Sequence, residues 1–147
     1  MIECVGTIVI NRPPDEVFRF LAHRENFPRL ASAASGVRVV IASEGPFGDG
    51  TLIQHTQVVS RVSHLQVNEG FQTDTIRIHF PSRLLVKHMH DLLQFDAVGQ
   101  GTQVTLKVQI EPAPLLKPFA HLVAKRAHRH TQALLEYLKT VLEHKRG

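Results

Sequence analysis

The chain has 147 residues, a single cysteine and a formal net charge of +4 at neutral pH. This length suits one domain whose core needs no metal, and a lone cysteine cannot form an internal disulfide. Apolar residues make up 43% of the sequence and no run of them approaches the roughly 18 residues that cross a bilayer, which excludes a disordered chain and favours a soluble, cytoplasmic protein.

The positive charge is concentrated towards the C-terminus. Residues 115–147 contain seven lysines and arginines against two glutamates, whereas the rest of the chain has a net charge of −1. A basic segment of this kind either contacts an anionic membrane or RNA, or forms a solvated helix face. The absence of an accompanying aromatic platform favours the solvated face and predicts no specific nucleic-acid partner.

The N-terminal part contains one predicted strand and two predicted helices. Residues 2–10 are rich in β-branched side chains and alternate loosely, which is typical of a strand. The segment 11–16, NRPPDE, indicates a helix start, because prolines fit the first turn and acids complement the positive end of the helix dipole. The apolar spacing extends this helix to about His23, and a second short helix is predicted over 25–33.

The middle of the chain is a succession of predicted strands. Alternating apolar residues predict them over 37–42, 51–63, 65–71, 73–80, 83–97 and 102–111. Because the connections are short, consecutive strands are expected to pair antiparallel. Three glycines and a proline mark 45–50 as a loop, which is either a plain hairpin connection or a lid over a cavity.

The last segment of about 30 residues has helical periodicity. The residues that share its inward face recur at spacings of three or four, and they are Phe119, Val123, Ala127, His130, Leu134, Leu138 and Val141. Helices segregated from an antiparallel sheet define the α+β class. Among the predicted helices, this one alone is long enough to cross a sheet of that size.

Three segments resemble a known superfamily. They are IVINRPPDEVF at 8–18, ENFPRL at 25–30 and GQGTQVT at 99–105. Together with the order of elements, they resemble the START-like or SRPBCC superfamily, which has the helix-grip fold and includes polyketide cyclase/dehydrase-like, birch-pollen-allergen-like and lipid-transfer proteins. The resemblance spans essentially the whole chain and implies one domain, 1–147. In this domain, a curved antiparallel sheet of about six to seven strands is expected to wrap around the C-terminal helix and to leave an apolar ligand cavity between the two.

The resemblance implies that the concave sheet face and the C-terminal helix line this cavity. The candidate ligand-binding residues are Phe71, Ile78, Phe80, Met89, Asp91, Leu93, Phe95, Phe119, Val123, Ala127, His130 and Leu134. The expected ligand is a small hydrophobic or amphipathic molecule such as a lipid, a quinone or a polyketide-like compound. No cofactor is expected.

His130 and Asp91 are the candidate polar residues of the cavity. An imidazole can orient a ligand carbonyl or hydroxyl, or act as a general base. The alternative for His130 is a core histidine that is satisfied by backbone or water. The small and polar residues near the middle of the helix, Ala127 and Thr131, suit either a ligand-facing stretch or packing opposite a large sheet residue.

The longest predicted strand can face the core in either of two phases. If Leu93 faces the concave side, so do Lys87 and Asp91, which then form a polar pair in the cavity. His88 and His90 in that case share the outer face. A bulge would reverse the phase. Two imidazoles on one face suit a metal, but no third ligand accompanies them at matching spacing, so no metal site is expected.

Missing motifs exclude two enzyme classes, and three functions remain open. The glycine-rich loop lacks the Lys-Ser/Thr of a phosphate-binding loop, and Gly-x-Ser-x-Gly does not occur. The leading interpretation is a non-enzymatic binding protein for carriage, transport or sensing of a small hydrophobic ligand. The alternatives are a polyketide cyclase/dehydratase-type enzyme that uses the same cavity, and a module that docks on an anionic membrane or RNA through the basic helix.

Overall fold

The computed structural model describes residues 2–36, 38–55, 58–66, 70–78 and 86–144. In chain order the elements are β1 (Ile2–Ile10), α1 (Pro14–Leu21), α2 (Asn26–Ser35), β2 (Val39–Ile41), β3 (Leu52–His55), β4 (Val58–Gln66), β5 (Gly70–Ile78), β6 (Val86–Val98), β7 (Gly101–Pro112), a 3-10 helix (Pro114–Phe119) and α3 (Ala120–His144).

Seven strands form one antiparallel sheet in the order β1-β7-β6-β5-β4-β3-β2. Strands that follow one another in the chain are neighbours in the sheet, except for β1, which pairs with β7 along its whole length. The long helix α3 covers the apolar face of the sheet together with α2. The predicted α+β helix-grip fold is therefore confirmed.

The strand boundaries differ from the predicted ones in the middle of the sheet. The segment predicted as one strand over 51–63 is divided between β3 and β4, and β5 begins at Gly70, inside the strand predicted over 65–71. Gly70 has a φ of +85°, and a Cβ on it would overlap the carbonyl of Leu93 on β6. The glycine is therefore needed where β5 turns to pair with β6.

The helix α1 follows the predicted pattern. It begins at Pro14, and Asp15 and Glu16 occupy its first turn, where carboxylates complement the helix dipole. Val17 and Leu21 are fully buried against the sheet and the neighbouring helix. The predicted apolar stripe is thus the face by which α1 closes one end of the core.

The start of α3 differs from the predicted helix. Proline interrupts the segment at Pro114 and Pro118, and a 3-10 helix precedes the α-helix, which begins at Ala120. A proline lacks the N–H that an α-helix needs and its ring clashes with the preceding turn, so α-helical phase cannot extend back through Pro118. Contrary to the prediction, Phe119 therefore does not face the core, and it is 51% exposed.

The helix α3 packs closely against β1 at Gly6. A Cβ on Gly6 would lie 2.8 Å from Thr131 Cγ2 and 3.1 Å from Leu135 Cδ1. Thr131 is fully buried, and its hydroxyl donates a hydrogen bond to the Ala127 carbonyl oxygen (2.9 Å), so its methyl cannot easily move away. Thr131 therefore packs against the sheet and does not face a ligand.

Replacing Gly6 by valine should lower the free energy of unfolding by about 1–3 kcal/mol, because the added side chain overpacks the contact between β1 and α3. Chemical denaturation measures the change. Thr7→Val is the matched control, since Thr7 is exposed on the same strand, and it should change stability by less than about 0.5 kcal/mol. Equal effects of the two substitutions would contradict the close approach.

Candidate functional site

A cavity of about 30 Å³ lies between the sheet and α3. Its lining comes from α2, from three neighbouring strands and from α3, and consists of Phe27, Phe71, Thr73, Asp91, Leu93, Leu106, Val108, His130 and Leu134. The pairing register of β5, β6 and β7 explains why their residues lie side by side in the cavity lining. Phe71 pairs with Leu93, which pairs with Leu106, and one step along the same face Thr73, Asp91 and Val108 form a second row.

This volume decides what the cavity admits in the conformation described. A space of about 30 Å³ holds about one or two water molecules, whereas a benzene ring needs a cavity of about 150 Å³. In this conformation the space between the sheet and α3 is therefore too small for an organic ligand. An organic ligand enters this space only if side chains that line it move.

Three phenylalanines fill the space beside the cavity. Phe27, Phe47 and Phe71 contact one another, and all three pairs of ring centroids are 5.7 Å apart. Phe47 belongs to the glycine-rich loop and is 7% exposed. The loop is thus more than a plain connection, since it places a ring in the core. The sequence signal for Phe47 was a single large apolar residue among glycines, which was not recognised.

Asp91 is the buried carboxylate of the cavity. Its Oδ1 is inaccessible to water and has no hydrogen-bond partner among the described residues. Burial raises the pKa of the Asp91 carboxyl to about 6; nearby His90 acts against this rise and nearby Asp74 adds to it. Above that pH the carboxyl is ionised while its Oδ1 has no hydrogen-bond partner among the described residues, which is costly in an apolar surrounding.

His130 is the second polar group of the cavity. Burial lowers the pKa of its imidazole, and Arg126 lowers it further, against a hydrogen bond to the backbone of Ala34 that raises it. A backbone group that favours the charged imidazole is a carbonyl acceptor, so one ring N–H donates to α2. In the neutral ring the other nitrogen is then a hydrogen-bond acceptor.

The remaining predicted site residues occupy several environments. Phe95 is fully buried and contacts Phe71 and Phe18, with ring centroids 6.4 and 6.0 Å apart. Partly buried side chains that pack against the core, without lining this cavity, are Met89, Val123 and Ala127. Ile78 is the last residue of β5, its side chain is outside the described part of the structure, and Phe80 lies outside the described residues.

The sheet also shows which phase β6 takes. Asp91 faces the cavity as predicted, but the register between β6 and β7 shifts at Lys87, between Val86 and His88. Lys87 is exposed at this bulge and its Nζ is 3.8 Å from Glu111 Oε1. The predicted polar pair of Lys87 and Asp91 within the cavity is therefore wrong.

The two histidines of β6 share a contact with Asp74 of β5. His90 Nδ1 is 2.6 Å and His88 Nε2 is 3.5 Å from Asp74 Oδ1. Since Asp74 pairs with His90 while the adjacent Thr73 and Asp91 face the cavity, this group lies on the outer face. Within the described ranges, no three His, Cys, Asp or Glu residues are arranged to hold a metal ion.

Comparison with known proteins identifies the family and several similar structures. A family model described as "Polyketide cyclase / dehydrase and lipid transport" matches residues 1–143. A protein of Thermus thermophilus has a similar structure, with a TM-score of 0.75 and 16% identity over 97% of this chain and 99% of its own. The chain therefore belongs to the polyketide cyclase/dehydrase and lipid transport family.

Two further solved structures are similar to this chain. The di-domain ARO/CYC BexL from the BE-7585A biosynthetic pathway has a TM-score of 0.73 and 18% identity over 97% of this chain and 47% of its own. Norcoclaurine synthase from Thalictrum flavum, in complex with dopamine and hydroxybenzaldehyde, has a TM-score of 0.68 and 15% identity over 99% and 88%. At such identities the likeness shows the fold alone. No curated protein matches the sequence.

The helices also differ from membrane-spanning ones. Of those in the described ranges, none combines the length and the apolar character that crossing a bilayer requires.

The substitution Asp91→Asn should raise the free energy of unfolding at pH 8 by about 1–3 kcal/mol and leave it nearly unchanged below pH 4. With its raised pKa, the folded state keeps a proton on Asp91 that the unfolded state loses, so the stability of the wild type falls as pH rises from about 4 to about 6. Urea denaturation from pH 4 to pH 8 measures this difference.

Asp96→Asn is the control for that titration, because Asp96 is exposed on the same strand. It should leave the pH dependence of stability as it is in the wild type. A gain from Asp91→Asn that is the same at pH 4 and pH 8 would contradict the unpaired buried charge.

Proposed function

We propose that the protein binds a small amphipathic ligand between the sheet and α3, as a carrier or sensor. The observation that supports this is the unpaired, buried Oδ1 of Asp91 within an otherwise apolar lining. A buried polar atom without a partner destabilises the folded state, and a ligand that donates a hydrogen bond to it removes that cost. Family membership agrees with a role in ligand binding.

The polar groups of the cavity select the kind of ligand. Above pH 6, Asp91 is a carboxylate that only accepts hydrogen bonds, and neutral His130 offers a ring nitrogen that accepts as well. The complementary ligand has an apolar body and at least one donor, such as a hydroxyl, phenol or ammonium group. The ligands in the norcoclaurine synthase structure, dopamine and hydroxybenzaldehyde, are of this general kind.

Ligand entry requires the cavity to enlarge, because its volume of about 30 Å³ is too small for an organic molecule. Phe47 belongs to the glycine-rich loop at 45–50, and its ring contacts both Phe27 and Phe71 of the cavity wall. The loop is fastened by a hydrogen bond from Arg24 to the Gly45 carbonyl and by a bond from the Gly48 N–H to Thr51 Oγ1 (2.9 Å). Outward movement of the loop would withdraw Phe47 and enlarge the cavity without breaking the sheet.

A matched pair of fluorescent probes tests this function. 2-Naphthol has a phenolic donor and 2-methoxynaphthalene lacks it, while their ring systems are the same. At pH 7.5 2-naphthol should bind at least about tenfold more tightly, which is the usual worth of a hydrogen bond to a charged group. Equal affinities, or no binding of either probe, would contradict the proposal.

The position of the probe is tested by filling the cavity. Val108→Phe, with the milder Val108→Leu as a second variant, should abolish or weaken 2-naphthol binding, because Val108 lines the cavity. Val5→Phe is the control, since Val5 is on the neighbouring strand and is 49% exposed. Thermal unfolding confirms that each variant is folded. Unchanged binding in both Val108 variants would place the probe elsewhere.

A second candidate function is catalysis of the cyclase or dehydratase type. It is favoured by two titratable groups with oppositely shifted pKa values in one cavity, an arrangement that suits proton transfer. His130→Gln keeps a polar side chain but removes the general base. If the protein is an enzyme, this variant should lose at least about a hundredfold in turnover while it still binds 2-naphthol. Unchanged turnover would remove His130 from the mechanism.

A further inference from the structure

Large apolar side chains are exposed where the 3-10 helix joins α3. Leu115, Phe119 and Leu122 are 72%, 51% and 53% exposed. They lie within eight consecutive residues, and Phe119 and Leu122, three residues apart where α3 begins, project on the same side of the segment. Clustered exposed apolar side chains mark an interaction site, whereas isolated ones do not. These three residues are called the apolar tip.

Exposed cations adjoin the apolar tip without any neighbouring acid in the sequence. They are Lys117, Lys125, Arg126 and Arg129, and residues 112–135 contain neither aspartate nor glutamate. The ion pairs formed among the described residues involve none of these four side chains. The charge next to the apolar tip is therefore uncompensated and complements an anionic surface.

The other side of the same helix is fixed to the protein. Val123 and Ala127 pack against the core, and the thiol of Cys4 donates to the Ala124 carbonyl oxygen at 3.5 Å. Leu122, Arg126 and Arg129 are spaced by four and three residues, which places them together on the opposite face. The helix cannot rotate to bury the apolar tip without losing these core contacts.

We propose that this surface docks the protein on an anionic lipid bilayer. The apolar tip enters the boundary between headgroups and acyl chains, and the four cations lie over the lipid phosphates. RNA is the less suitable partner, because proteins that bind single strands stack bases on several aromatic side chains, whereas the apolar tip has one phenylalanine and two leucines. Both the charge and the apolar exposure are used when the partner is a membrane.

Docking in this way would bring the cavity close to the lipid. Leu122 and His130 are eight residues apart on α3, or about 12 Å along the helix axis. Since His130 lines the cavity, a ligand that partitions into lipid would be delivered near the space in which we propose it binds. The docking surface itself does not depend on that function, because none of its residues lines the cavity.

Vesicle flotation tests the docking surface directly. The probes are unilamellar vesicles of phosphatidylcholine alone, and of phosphatidylcholine with about 30% phosphatidylserine, at low and at high NaCl. The protein should bind the anionic vesicles in low salt, bind neutral vesicles at least about tenfold more weakly, and lose most of its binding in high salt.

Two pairs of variants separate the apolar and ionic contributions. A variant that combines Phe119→Ser and Leu122→Ser should bind anionic vesicles at least about tenfold more weakly. Arg126→Gln and Arg129→Gln should each weaken it by about fivefold. The controls are Tyr137→Ser, a 48% exposed residue further along α3, and Arg61→Gln, an exposed residue of β4; neither should change binding.

Several results would overturn the proposal. They are no binding to the anionic vesicles in low salt, binding that salt does not weaken, and binding that the serine variants leave intact. Preference for a 20-nucleotide poly(U) over the vesicles would assign the surface to nucleic acid. Since 2-naphthol binding is measured without lipid, failure of docking can be distinguished from failure of ligand binding.

Discussion

A straight helix cannot contact a curved sheet along its whole length, and the site of closest contact determines where space is left. In this protein α3 is pressed against β1, where Gly6 admits the side chains of Thr131 and Leu135. Over β5, β6 and β7 the helix and the sheet leave a cavity instead. The contact between α3 and β1 stabilises the fold. The cavity over β5, β6 and β7 contains the polar groups that the proposed ligand would use.

Aromatic side chains from outside the sheet pack beside the cavity. Phe27 of α2 and Phe47 of the glycine-rich loop meet Phe71 of β5, beside a space that holds about one or two water molecules. These contacts are made by a short helix and a loop, which open more readily than paired strands. These are the elements whose movement we propose for ligand entry.

Sequence reasoning predicted the fold well where local signals are strong. The alternation in β7, the prolines and acids that begin α1 and the periodicity of α3 each reflect contacts within a few residues. It was wrong about Phe119, because the phase of a helix does not continue through Pro118, and about Lys87, because a bulge adds one residue to the strand. Phe47 was missed, since loop residues carry no period that indicates their burial.

Of the candidate site, the sequence indicated Phe71, Asp91, Leu93, His130 and Leu134, which the structure brings to one cavity. It could not give the volume of that cavity, because volume depends on how side chains from distant segments fill the space. Nor could it show that Oδ1 of Asp91 lacks a hydrogen-bond partner among the described residues, since this depends on every neighbouring element. Both properties bear on function more directly than the fold does.

The most direct test of the central claim is an NMR titration of the Asp91 side-chain carboxyl carbon, with and without 2-naphthol. In the free protein the pKa should be about 6, and it should fall when the ligand binds, because a hydrogen bond donated to the carboxylate stabilises the charged form. A pKa near 4 in the free protein would show that Asp91 is not an unpaired buried acid. A pKa near 6 that does not change on binding would show that the ligand does not reach it.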